Sequence, residues 1–157
     1  MRQSGFSMVE LIIVIVISSI LAVIALPILQ TGFHAYFSQR DLSDANWQGR
    51  LALARISRDL SSLPSTGNIS TAGSTQLTFV DNNNLSVSYA LSNSNLQRNT
   101  KTLANGIGSI NFAYYDSTGA VTATIANIRY VGVTLNVIQN NTNFNLSSLL
   151  SLRNIVP

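Results

Sequence analysis

The sequence predicts an α+β fold: one long N-terminal helix whose second half packs on a C-terminal antiparallel sheet. Three observations carry this. An apolar run, Leu11–Leu29, is interrupted only by Ser18, Ser19 and Pro27. An amphipathic pattern then continues from Phe33 to Leu63, with no proline between Pro27 and Pro64. Beyond the Ser/Thr/Gly-rich stretch Ser65–Thr75, the apolar period changes from near-helical to two.

The apolar run is the first element. At about 1.5 Å per residue, Leu11–Leu29 spans roughly 28 Å, close to the hydrocarbon thickness of a bilayer. A secretory signal would have a shorter apolar region of about 7–15 residues closed by small residues in an A-x-A-like pattern. Here Ala22 and Ala25 are spaced wrongly for that pattern, and Glu10 stands at the mouth of the run. A plain single-pass anchor explains the length but not Glu10. A charge at membrane depth costs about 2.5–3.5 kcal/mol on insertion scales, so a carboxylate there points to a task. Pro27 has no backbone N–H and crowds the preceding turn, which predicts a kink within a longer helix.

Past Gly32 the helical pattern resumes, with Phe33, Phe37, Trp47, Leu51, Ile56, Leu60 and Leu63 as its apolar stripe and Trp47 packed between helix and sheet. Pro64 and Gly67 read as a stop. The spacing thus predicts a single helix over about residues 6–63, bent near Pro27, with Gly32 a second candidate for the bend.

The strands follow. Gln76–Val80 and Leu85–Leu91 alternate around Asp81-Asn82-Asn83-Asn84, a hairpin signal. Leu96–Leu103 is a weaker strand or loop broken at Asn99. Ile107–Tyr115 reads as a strand turned by Asp116-Ser117-Thr118-Gly119 into Ala120–Ile125. Ile128–Ile138 is the strongest strand, the polar stretch Gln139–Asn145 is a connection, and Leu149–Val156 is an edge strand.

Composition limits function. The 157 residues suffice for one domain, and only 10% are charged, with a formal net charge of +3 and no cysteine. The basic residues Arg2, Arg40, Arg50, Arg55, Arg58, Arg98, Lys101, Arg129 and Arg153 are scattered rather than gathered into a face, so no nucleic-acid partner is expected. The lone histidine, His34, reads as a helix-surface residue. Asp41, Asp44 and Asp59 read as solvated helix partners for Arg40, Arg55 and Arg58. The Asp81–Asn84 run lacks the glycine and closing glutamate of a calcium loop and reads as a turn. The Asn-x-Ser/Thr triplets at Asn68, Asn84, Asn140 and Asn145 follow from composition. With no convergent polar site, no catalytic residue, metal or cofactor is expected, and an enzymatic role ranks last.

Gly5-Phe6-Ser7-Met8-Val9-Glu10-Leu11-Ile12 resembles the processing motif of type IV prepilins, and Pro27 stands where pilins commonly carry a proline. The resemblance implies a pilin-like fold and processing by prepilin peptidase, which cuts between Gly5 and Phe6 and methylates the new amine of Phe6. It further implies that Glu10 forms an assembly ion pair with the amine of a neighbouring subunit. The chain then divides into a cleaved leader (1–5), a membrane and filament-core half of the helix (6–31) and a periplasmic α+β domain (32–157). The partners implied are prepilin peptidase, other major and minor pilins, the inner-membrane assembly platform, and membrane lipid before assembly. The location implied is the bacterial inner membrane, then a pilus or pseudopilus.

Shorter stretches narrow the resemblance: Ala54-Arg55-Ile56-Ser57-Arg58-Asp59-Leu60, Leu103-Ala104-Asn105-Gly106-Ile107 before Phe112, Tyr114 and Tyr115, and Leu152-Arg153-Asn154. They look like the minor pilins of the MSHA-pilus (MshO-type), PilW and general-secretion J-type pseudopilin group. The function expected is that of a minor structural subunit that helps initiate or cap a filament. The alternatives are a major subunit of the same kind of filament, or a membrane-anchored periplasmic binding or adhesive domain.

Overall fold

The computed structural model of the chain describes residues 7–139 and 142–152. It has the expected α+β architecture: one long helix followed by antiparallel sheet. The chain forms two compact units, Met1–Arg40 and Asp41–Pro157. Helix α1, Met8–Ser61, contributes to both. It ends two residues before the expected Leu63 because its last turn tightens: Ser62 N–H is shared between the Arg58 and Asp59 carbonyls, and Leu63 N–H reaches back only to Leu60.

In the first unit every described residue of the helix is exposed. In the second unit, the segment of α1 from Asp41 onward packs on the strands. Its inner face is Ala45, Gly49, Ala52, Ile56 and Leu60, spaced three and four residues apart. This corrects the expected stripe. Trp47 is 69% exposed and Leu51 is also exposed, so Trp47 does not pack between helix and sheet. The reason is steric: small residues at Ala45, Gly49 and Ala52 let the helix backbone approach the strands, whereas Trp47 and Leu51 fall on the opposite side. Gly49 shows how close the approach is. A Cβ built there would lie 2.5 Å from Leu146 Cδ1 and 3.2 Å from Val137 Cγ2.

The strands form two sheets where one was expected. Five antiparallel strands, β1 (Ile69–Ala72), β2 (Gln76–Val80), β3 (Ser86–Ser92), β4 (Asn95–Arg98) and β5 (Lys101–Asn105), follow one another in sequence order. Three more, β6 (Ile107–Tyr115), β7 (Tyr130–Gln139) and β8 (Thr142–Ser151), make the second sheet in the order β6-β7-β8. The break comes at Gly106, whose positive φ of 68° lets the chain leave the first sheet and enter the second.

Several strand expectations are revised by local chemistry. The segment around Asn99 is a hairpin rather than a broken strand: Asn99 and Thr100 both have positive φ, the geometry of a two-residue turn joining β4 to β5. Asn93 and Ser94 make the same kind of turn between β3 and β4. Strand β1 lies inside the stretch expected to be a linker. Ala120–Ile125 is not a strand; it makes a single bridge, Tyr115 to Val121, and then a 3-10 turn, Ile125–Asn127. The last strand begins at Thr142, within the stretch expected to be a connection, and ends at Ser151, whereas Leu149–Val156 was expected. Residues 153–156 lie outside the described residues.

The core lies between the two sheets and the helix. Leu77, Phe79, Val87, Tyr89 and Leu96 come from the first sheet, Ile110, Phe112, Val131, Val133, Leu135 and Val137 from the second, and Ala52, Ile56 and Leu60 from α1. On β7 the burial alternates strictly from Val131 to Val137, as a strand with one covered face requires.

Candidate assembly helix and its supporting domain

The sequence-predicted site residues sit at the start of α1. Gly5 and Phe6 lie outside the described residues. Glu10 occupies the first turn of α1, where a negative charge suits the exposed N–H groups and positive end of the helix dipole. That turn opens with Leu11 N–H donating to the Ser7 carbonyl at 3.2 Å. Glu10 is exposed, and so are all the large apolar side chains along this part of the helix, from Met8 at 84% to Phe37 at 55%.

A run of this length cannot be left in water. Each buried CH₂ is worth about 0.8 kcal/mol, so covering this many side chains is a large favourable term for whichever lipid or helix surface does it. By length and composition α1 suffices to cross a membrane. Two hydroxyls within it are turned back on the helix itself: Ser19 Oγ donates to the Ile15 carbonyl at 2.7 Å, and Thr31 Oγ1 to the Pro27 carbonyl at 2.9 Å. Their donors are thereby satisfied without water. Pro27 lies inside α1 and supplies no N–H to the Val23 carbonyl, the weak point that its ring creates in the ladder.

The domain contains a charged cluster around a buried Asp59 that sequence reasoning missed. Asp59 was expected to be a solvated partner of neighbouring arginines; it is 8% exposed. Its Oδ2 accepts hydrogen bonds from Tyr89 Oη at 2.7 Å and Arg98 Nε at 2.6 Å. Its Oδ1 lies 3.2 Å from Arg55 Nε, whose N–H is not aligned for a hydrogen bond, so that contact is electrostatic. The cluster ties α1 to β3 and β4. Burial, and then the bond to Asp59 and its charge, push the Tyr89 phenol well above its ordinary range, against the smaller opposing effect of Arg98. Burial opposes the charge on Arg98, but the Asp59 carboxylate and Tyr89 outweigh it and hold the guanidinium above its ordinary value. The available signal was Asp59 at the inner-face spacing of Ala52 and Ile56.

Two further polar expectations find their places in turns. Asp81 Oδ1 accepts the Asn83 and Leu85 N–H groups, each at 2.9 Å, which makes the Asp81–Asn84 run a side-chain-braced turn. Asp116 Oδ1 likewise accepts from Thr118 Oγ1 at 2.7 Å and from the Thr118 and Ala120 N–H groups. Those bonds, the Thr118 hydroxyl first, hold its carboxyl below the usual carboxylate range. His34 is exposed.

Comparison with known proteins bears on the N-terminal segment. Residues 1–26 match the family model of the prokaryotic N-terminal methylation motif. No curated protein matches this chain. The motif, which overlaps the exposed apolar start of α1, supports a type IV prepilin-like protein.

Proposed function

We propose that this chain is a structural subunit of a type IV pilus or related secretion pseudopilus, and within it a minor subunit of the MshO-type, PilW and J-type group. Prepilin peptidase removes residues 1–5 and methylates the amine of Phe6. Residues 6–31 then hold the subunit in the inner membrane until it enters the filament, and residues 32–157 form its periplasmic domain. One observation carries the reading: the apolar first part of α1, exposed at every described residue through Arg40, has a single acid in its first turn and lies within and beyond a methylation motif.

The physics of assembly follows from Glu10. In lipid its carboxylate is costly, by about 2.5–3.5 kcal/mol at full depth. The new amine at Phe6 is a cation of matching reach on a neighbouring subunit, so pairing relieves both charges as helices leave the lipid and pack together. Pro27 supplies a place where the helix bends to fit that packing. The assembly platform of the inner membrane and the other pilins are the remaining partners.

Mass spectrometry of the mature N-terminus tests the reading. Expressed with an active prepilin peptidase, the chain should begin at N-methylated Phe6; a terminus still at Met1 would overturn it. Glu10→Ala should be cleaved and methylated normally but enter sheared filaments poorly. A minor role predicts that the wild-type chain is scarce in those filaments and that its deletion lowers their number.

A further inference from the structure

The apolar run of α1 is followed by a stretch of a different kind. After Leu29 the neutral polar residues Gln30, Thr31, Ser38 and Gln39 are interspersed with Phe33, Tyr36 and Phe37. No Asp, Glu, Lys or Arg stands between Glu10 and Arg40. The three aromatic side chains are each more than half exposed. The Tyr36 and Phe37 rings meet edge to face, with centroids 5.7 Å apart and planes at 71°. The patch lies wholly within the unit Met1–Arg40.

Side chains on a helix lean toward its N-terminus, so these rings point back toward the apolar run. Phe33 and Tyr36, with Ile28, Leu29 and Gly32, bound an open groove of about 410 Å³. Gly32 keeps it open, since a Cβ built there would meet no atom within 4 Å. Positions 29, 33, 36 and 40 follow the four- and three-residue spacing of one helix face, which places Arg40 above the same groove.

We infer that residues 33–40 anchor α1 in the periplasmic leaflet: Phe33, Tyr36 and Phe37 lie among phospholipid headgroups, the tops of acyl chains fill the groove beside Gly32, and Arg40 pairs with lipid phosphate. The inference rests on the membrane reading of residues 6–31 and carries the lipid contact past it. Three features select lipid as the occupant. The first is depth. Glu10 and Arg40 are thirty residues apart, about 45 Å along a helix, which is the thickness of a bilayer with its headgroups, so the two charges fall at its two polar surfaces. With Leu11–Leu29 in the hydrocarbon, the backward lean of Phe33 and Tyr36 brings their rings to headgroup level. The second is chemistry: a phenol has an apolar body and a polar tip, the combination enriched where membrane meets water. The third is charge. Arg40 is the first cation beyond the run; its long stem reaches back along the helix, and its planar fork matches a phosphate.

A single tryptophan makes the test direct, because Trp47→Phe removes the background signal. Full-length chain carrying Trp47→Phe with either Tyr36→Trp or Leu21→Trp is reconstituted into vesicles of phosphatidylcholine and phosphatidylglycerol. Their acyl chains carry bromine either near the glycerol end or near the methyl end. The indole at 36 should emit at shorter wavelength than one in water, and the shallow label should quench it at least about twofold more than the deep one. The indole at 21 should show the opposite order. Adding Arg40→Glu should weaken shallow quenching at 36 and leave quenching at 21 unchanged. Water-like emission at 36 while 21 is quenched overturns the inference alone and leaves the span at 6–31 standing. Stronger deep quenching at 36, or short-wavelength emission there that neither label quenches (cover by protein instead of lipid), also overturns it. Shallow quenching that survives Arg40→Glu removes the phosphate pairing. If neither label reaches position 21, the membrane reading falls together with the inference.

Discussion

At the scale of single residues, Asp59 decides most. It anchors Tyr89 and Arg98 to the helix in a place where water reaches little. Removing one partner of a buried charged set leaves the others uncompensated, at a cost of about 3–5 kcal/mol when burial is complete. The arginines left behind, Arg98 at 25% and Arg55 at 41% side-chain exposure, are partly reached by water, so Asp59→Ala should lower unfolding stability by less than that, roughly 2 kcal/mol, read by urea titration of the detergent-solubilised chain. A loss below about 1 kcal/mol would show that the cluster is solvated. Tyr89 and Tyr114 add a pH dependence. Burial raises both phenols above their ordinary range, so in the folded chain they keep protons that the unfolded chain gives up above about pH 10. Their contribution is thus fully present below about pH 10 and falls as pH rises beyond it. Melting temperature followed from neutral to alkaline pH should drop in that range. Tyr89→Phe should start about 1 kcal/mol less stable, having lost one hydrogen bond, but fall less steeply. An unchanged alkaline slope would count against the cause assigned here.

At the scale of elements, Gly49 sets how near α1 lies to β7 and β8. Alanine there gains about 1 kcal/mol of helix propensity but must displace the far end of Leu146 and press on Val137 Cγ2, 3.2 Å away, so Gly49→Ala should be close to neutral. A leucine cannot be accommodated by one rotamer change and should cost about 1–3 kcal/mol or more. If Gly49→Leu unfolds with wild-type stability by chemical denaturation, the close approach is wrong. This contact also explains why the inner face of α1 was misread from sequence. Hydrophobic periodicity weights large side chains, so Trp47 and Leu51 dominated the pattern, while the face that actually packs is built from Ala45, Gly49 and Ala52. The polar start of β8 escaped for a similar reason: Asn143 and Asn145 face solvent, and the alternate positions Phe144 and Leu146 were too few to signal a strand.

At the scale of the whole molecule, the burial is confined to one unit. Among the described residues, every buried side chain lies between Ala45 and Leu152. A fragment of residues 33–157 should therefore stay soluble without detergent and melt in one cooperative transition by circular dichroism. Aggregation or the absence of a transition would mean that the N-terminal half of α1 supports the core. The sequence by itself determined the apolar run, its acid at Glu10, the proline at Pro27, the proline-free span that follows and the alternation of β2, β6 and β7, because each depends on local periodicity or on a single residue's chemistry. Only the tertiary structure decided that the strands divide into two sheets at Gly106, that Asp59 is buried against Tyr89 and Arg98, and that β8 pairs along its whole length with β7 at the end of the second sheet. Those outcomes depend on which distant segments meet, and the energies that choose among such meetings come from packing and desolvation, which no local pattern records.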